Sequence, residues 1–240
     1  ETSTVSGALA QSGTITIDVL TDKTLTYSGS GVDIGANTLT FIGGGTLYNT
    51  NPIILDNANS KLVLNSVTLN YVTTGDASEG VDVNADSTVT TLTVSHITPL
   101  SIAAGTSLDG GITATAGSVV KLDETGTLSS TVSMSGVGTT FDVDESFTLS
   151  GNIDLTNYSG ITINVASDKT LTYSGSAVNI GYNSLTFAGG GIFLNENELV
   201  LDKTSSMLIL NSITLSKVST SFESSGLDVN SNSTVTSLSV

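Results

Sequence analysis

The sequence predicts an all-β chain: a right-handed parallel β-helix, or β-solenoid, with rungs of about 21 residues. Three observations carry that expectation. A long internal repeat spans most of the chain, apolar and polar residues alternate with the two-residue period of strands, and apolar positions recur at a short step.

The repeat comes first. DKTLTYSGS at residues 22–30 returns unchanged at 168–176, and LTFIGGG at 39–45 returns as LTFAGGG at 185–191. LVLNSVTL at 62–69 returns as LILNSITL at 208–215, and VDVNADSTVTTLTV at 81–94 as LDVNSNSTVTSLSV at 227–240. Every match has the same offset of 146, without a gap from residue 1 to 94, and about half of those positions are identical. Residues 1–94 are thus a partial copy matching 147–240, and residues 95–146 complete the 146-residue unit. One continuous solenoid over residues 1–240 is expected.

Within the repeat, stretches such as KTLTY, SVTLN and GITIN alternate as strands do, and nothing shows helical spacing. Two apolar ladders run along the chain. The first is a single residue at a strand start: Leu25, Leu39, Leu62, Val89, Leu108, Leu128, Leu149, Leu171, Leu185, Leu208 and Val235. The second is an apolar-x-apolar pair, from Ile15/Ile17 and Val32/Ile34 through Val120/Leu122 and Phe141/Val143 to Leu227/Val229. Turn-forming stretches (DNANSK, NADST, DETGT) separate them. Seven steps span 146 residues, giving rungs of about 21 that bury an apolar face only when stacked. The 14-residue step from Leu25 to Leu39 is too short for a closed coil and has no explanation at this level. A pair of β-sandwiches is the alternative all-β architecture. It has no reason to keep such ladders, and its hairpins favour Asn-Gly or Asp-Gly turns, of which only Asp109-Gly110 is present.

Composition limits function. Hydrophobic residues are 38% and charged residues 12%, enough apolar mass for a core. Six Lys, no Arg and 22 acidic residues give a net charge of -16, which argues against nucleic acid and anionic membrane surfaces as partners. No apolar run reaches the ~18 residues of a membrane span. The absence of cysteine removes disulfides and thiolate metal sites, and suits an exported bacterial chain. The expected location is extracellular or at the cell surface.

The TLTYSGS, NTLTFIGGGTL and STVTTLTV segments resemble the repetitive β-helical passenger and adhesin regions of large bacterial surface proteins, of the autotransporter and filamentous-haemagglutinin kind. The resemblance covers nearly the whole chain and implies secretion, an elongated stalk and adhesion to a cell-surface or carbohydrate ligand. It carries over no functional residue.

The expected function is therefore a non-enzymatic structural or adhesive surface protein. A self-assembling filament or surface-layer subunit is the main alternative. A polysaccharide-active β-helix enzyme or an ice-binding solenoid stands behind both. Lyases of this architecture need a basic grip on acidic sugars, but Lys23, Lys61, Lys121, Lys169, Lys203 and Lys217 are scattered. The single histidine, His96, has no catalytic context and reads as a surface or turn residue. Gly43–Gly45 and Gly189–Gly191 lack the Lys and helix of a phosphate loop and read as bends or close backbone approaches. Thr-x-Thr pairs at 24/26, 38/40, 88/90, 170/172 and 234/236 suggest an ice-facing array, but Lys61/Val63, Ser107/Asp109 and Met207/Ile209 interrupt it. Two sequons, at residues 157–159 and 232–234, are no more than chance provides.

No motif requires a cofactor, and Ca²⁺ is the one candidate. In the expected register Asp123 and Glu124 close one rung and Asp144 and Glu145 the next, crowding four carboxylates at one edge. Lys121 beside Asp142, or a bridging Ca²⁺ with its 6–8 oxygen ligands, would relieve their repulsion. The ends are the last feature. Val240 matches Val94 in mid-rung, Glu1 aligns with Phe147, and neither end carries an evident polar cap. Either further repeats of the chain or end-to-end self-association is expected there.

Overall fold

The computed structural model describes residues 2–156, 160–221 and 223–240; the sequon at 157–159 lies outside them. Among the described residues there are strands and turns and no helix, so no helix is long and apolar enough to cross a membrane. Every strand ladder is parallel. Partners lie from 19 residues apart, as Val81 and Leu100 do, to 24 apart, as Ile15 and Leu39 do. The chain is a parallel β-solenoid.

Each rung has three faces. Face 1 is an eleven-stranded sheet in strict chain order, from Ile15–Asp18 to Gly226–Val229. Faces 2 and 3 merge into an 18-stranded sheet, because some strands run through both; Thr68–Thr74, Ser87–Val94 and Ser107–Ala114 are such strands. Elsewhere the two faces are separate short strands, such as Thr24–Tyr27 on face 2 and Val32–Asp33 on face 3.

The alternation read from the sequence holds residue by residue. In Thr38–Ile42, Lys61–Asn65 and Thr140–Val143 every second side chain is buried, the pattern of a pleated strand with one face on the core. These side chains form a single apolar core along the solenoid. Each fully buried Leu, Ile or Val contributes about 1.5–3 kcal/mol through area removed from water. Phe193 joins the aromatic side chains of two neighbouring rungs, stacked 5.7 Å from Tyr173 and tilted 4.7 Å from Phe187.

The two sequence ladders are resorted by this arrangement. Leu39, Leu62, Leu185 and Leu208 belong to face 1, while Leu25, Leu108, Leu128, Leu149 and Leu171 lie on face 2. Val32, Ile53, Val178 and Leu199, placed with the pairs, lie on face 3. The 14-residue step is thereby explained: Leu25 and Leu39 are two faces of one rung, not successive rungs. Leu62, Leu108, Leu128, Leu149 and Leu208 all point inward, but in two stacks rather than the single one expected.

Corners are made by glycine where the backbone demands it. Gly43 and Gly44 have φ of +107° and +77° between faces 1 and 2, and a Cβ at Gly43 would collide with Asp18 and the Val19 carbonyl. Gly110, half of the one hairpin candidate, instead lies inside strand Ser107–Ala114 with φ of +116°. There the strand bends from face 2 to face 3, and a Cβ would run into the Val89 carbonyl.

Candidate functional site

Pleating leaves alternate side chains of each face in solvent, so the outer surface is a set of ladders about 4.8 Å apart. Face 1 carries several charged positions, among them Lys61, Asp82, Lys121 and Asp142. Lys61 reaches the next rung, 2.7 Å from Asp82, and the Asn164 amide donates to Asp142 at 2.7 Å. Hydrogen bonding to Asp82 holds the Lys61 amine above the ordinary lysine range, against the opposing effect of partial burial.

The four acids of the sequence-derived Ca²⁺ candidate sit where face 1 turns into face 2. Leu122 pairs with Val143, so Asp123 and Asp144 follow at equivalent places on neighbouring rungs, with Glu124 and Glu145 beyond them. Lys121 is in register with Asp142 as expected, but its ammonium lies 2.6 Å from Asp144 Oδ2 instead. Lys169, one rung further on, is 2.5 Å from Glu145 Oε2, and the Ser101 hydroxyl donates to Asp123 at 2.8 Å. Cations of the chain itself therefore meet two of the four carboxylates. Among the described residues no group of three or more His, Asp or Glu side chains is arranged to hold a metal ion.

His96 stands on the exposed corner before strand Ile97–Ile102, its Nε2 3.8 Å from Asp76 Oδ1. The threonine pairs also fall differently from the sequence reading. Thr38/Thr40, Lys61/Val63 and Met207/Ile209 are on face 1, whereas Thr24/Thr26 and Thr88/Thr90 start on face 2. Followed on face 2 alone, Thr24, Thr46, Thr68 and Thr88 form one file over four rungs that ends at Asp109. The corresponding file in the second copy is Thr170, Ile192, Thr214 and Thr234.

Beside those files the sequence reading missed an apolar feature. Tyr48 and Leu194, 146 residues apart, occupy the same outward position on face 2 and are half exposed, and Ile192 is exposed next to Leu194. The signal was available: a strand of the repeat places an apolar residue at both its inward and its outward positions in both copies (TLYN and IFLN). Comparison with family models, curated proteins and solved structures finds no match.

Proposed function

We propose that this chain is a non-enzymatic extracellular rod: a β-helical stalk of a repetitive surface adhesin that holds a binding surface away from a cell. The uninterrupted core through eleven rungs of face 1 is the observation that carries the reading. At about 4.8 Å per rung, those strands span about 50 Å. A bend would have to break inter-rung hydrogen bonds and open the core at once, so the body resists flexing. The acidic, hydroxyl-rich surface supports an extracellular setting, since high like charge keeps a long body soluble and apart from its neighbours. On this reading the outer side of face 2, with Tyr48 and Leu194 recurring at the repeat period, offers the contact for a carbohydrate or cell-surface ligand.

Protease treatment of intact source cells, read by mass spectrometry of released peptides, tests the proposal. Peptides of this chain are expected in the released fraction. Their recovery only after lysis, or release of sugars from polysaccharides by the purified chain, would overturn it.

A further inference from the structure

The internal repeat lets the outer surface of face 2 be compared with itself, position by position, at the offset of 146. On the four rungs from Thr24 to Thr90 its outward side chains form two files. One is Thr24, Thr46, Thr68 and Thr88, and the other is Thr26, Tyr48, Asn70 and Thr90. None of them is charged, in a chain of net charge -16. The second copy keeps the frame beneath, since buried Asn49 and Leu69 recur as Asn195 and Leu215. It changes the surface above: Thr46, Tyr48 and Asn70 become Ile192, Leu194 and Ser216. At the corner toward face 3, uncharged Thr50, Pro52 and Tyr71 become Glu196, Glu198 and Lys217. The two copies have therefore diverged in chemistry around Tyr48.

Tyr48 is 50% exposed, with Thr26 and Asn70 on the adjoining rungs and Thr46 two residues before it on its own strand. Asn70 Nδ2 donates to the Asn49 carbonyl at 3.1 Å, which fixes the carboxamide and leaves its Oδ1 to accept from outside. Tyr71 follows Asn70 at the corner and is partly exposed. The result is an aromatic plate ringed by hydroxyl and amide groups. Toward face 1 it is bordered by a shallow cleft of about 240 Å³ among Ser66, Thr68, Asp86, Thr88 and Asp109, in which the charged groups are the two carboxylates.

We infer that this part of face 2 binds an uncharged polysaccharide of pyranose sugars, laid across the rungs with one ring on Tyr48. The inference rests on the adhesive reading above and narrows its contact to the first copy. A pyranose has an apolar C–H face and a rim of hydroxyls, so its face covers the tyrosine while its rim exchanges hydrogen bonds with Thr26, Thr46 and Asn70. A polymer fits better than a single sugar, because four rungs run about 14 Å, longer than one ring. A neutral polymer fits better than an acidic one. The outward files hold no Lys, the cleft beside them is acidic, and the whole chain repels polyanions. A protein partner fits poorly, since one exposed ring and its rim fall far short of the roughly 1,200–2,000 Å² that stable protein interfaces bury.

Native affinity electrophoresis of the 240-residue chain through gels containing hydroxyethylcellulose, xylan, mannan or alginate tests the inference. Retardation by at least one of the three neutral polymers, equal at low and high NaCl, is expected, with none by anionic alginate. Tyr48→Leu and Asn70→Ser install the residues that the fold already accepts at 194 and 216, and circular dichroism checks that each variant keeps its strand signal. Tyr48→Leu should weaken binding about tenfold or more, and Asn70→Ser should weaken it less. Leu194→Ala should bind as wild type does. Retardation by none of the neutral polymers overturns the inference, as does retardation by alginate alone or a Tyr48→Leu variant that binds undiminished. The outcome is separate from that of the cell-surface test. A chain released from intact cells yet not retarded sinks the glycan site and leaves the stalk standing, whereas a retarded chain recovered only after lysis does the reverse.

Discussion

Asn49 and Asn195 lie buried at the same corner of the solenoid, 146 residues apart, and each closes the same four hydrogen bonds. Asn49 Nδ2 donates to the carbonyls of Asn51 and Tyr71, and its Oδ1 accepts from the backbone amides of Asn70 and Tyr71. Asn195 repeats this with Asn197, Lys217 and the amides of Ser216 and Lys217. A carboxamide has two donors and two acceptor sites, so both side chains are saturated. They take over backbone groups at the corner between faces 2 and 3, where ladder bonding is interrupted. Asn195→Ala strands two amides and two carbonyls, each costing about 1–3 kcal/mol if left without a partner. The expected loss is at least about 2 kcal/mol by urea denaturation; a change within error would mean that water replaces the side chain.

The core stack of face 2 gives a second expectation. Leu128 lies between Leu108 and Leu149 on the neighbouring rungs, with all three buried. Leu128→Ala should cost about 2–5 kcal/mol. Leu128→Asp should cost more, because it places an unpaired charge among leucines. Each rung is held by its neighbours, so hydrogen exchange should rise first in the rungs on either side of residue 128. Uniform exchange along the chain would show instead that the solenoid opens as one unit.

How much of this could be read beforehand follows from what parity reveals. Alternation marks which residues turn inward, and it did so correctly for Leu39, Leu62, Phe141 and Val143. It does not reveal which face a strand joins, since all three faces have the same period, and so Leu25 and Leu39 seemed to be one ladder. Register was hidden for the same reason. Leu100 pairs with Leu122 rather than Val120, and Phe141 with Ile163 rather than Ile161. A slip of two keeps every side chain on its own side. Thr98 and Val165 thereby enter the core as extra inward residues. Asn49 was unreadable by pattern, because asparagine signals a turn. The one available clue is that it is retained at 195 while Tyr48 becomes Leu194 and Thr50 becomes Glu196. The acidic corner was placed by register, but which carboxylate Lys121 meets depends on its flexible side chain rather than on its Cα.

Backbone strain sets a third expectation. The non-glycine residues with positive φ are Asp22, Ser66, Asp168 and Ser212 among the described residues, two pairs separated by the repeat. Ser212, exposed at φ +55°, sits in a conformation costing about 1–2 kcal/mol for an L-residue. Ser212→Gly should therefore hold or slightly raise the melting temperature, although glycine gains about 0.5–1 kcal/mol of unfolded-state entropy. Ser212→Val should lower it, because a β-branched side chain fits that region worst. Equal melting temperatures for the two variants would show that the turn relaxes.

The inter-rung ion pairs fix a window of alkaline pH. Hydrogen bonds to Asp82 and Asp144 raise the amines of Lys61 and Lys121 above their usual 10.5. A group whose folded pKa is raised stabilises fully below its unfolded pKa and ceases to do so as pH climbs through the folded one. Each pair is partly exposed, so each is worth only about 0–1 kcal/mol. Wild type should exceed Lys61→Gln/Lys121→Gln by a constant small margin from neutrality up to the usual lysine range, and the margin should close as pH climbs beyond that range through the raised folded values. A margin that closes below neutrality would assign the effect to other groups.

Asp56 has the opposite consequence near neutrality. Partial burial is the main cause that raises its carboxyl above the ordinary aspartate value of 3.8, and repulsion from and hydrogen bonding with Asp33 add to it, with Asp76 acting more weakly. These acids follow one another on successive rungs, since Asp33 pairs with Ile54 and Leu55 with Thr74. A carboxyl whose folded pKa is raised takes up its proton more readily in the native state. Stability then falls as pH rises through the interval from the ordinary value to the folded one, and the penalty persists above it. Asp56→Asn removes the charge and keeps the shape, so it should raise the melting temperature at pH 7. The gain should shrink in high salt, which screens Asp33 and Asp76 but not the burial, and should vanish as pH drops to about 3, where both forms are neutral. Thermal denaturation of the two proteins at pH 3, 5 and 7 decides the matter. An Asp56→Asn variant less stable than wild type at pH 7 would mean that the ionised carboxylate has a favourable partner outweighing its neighbours.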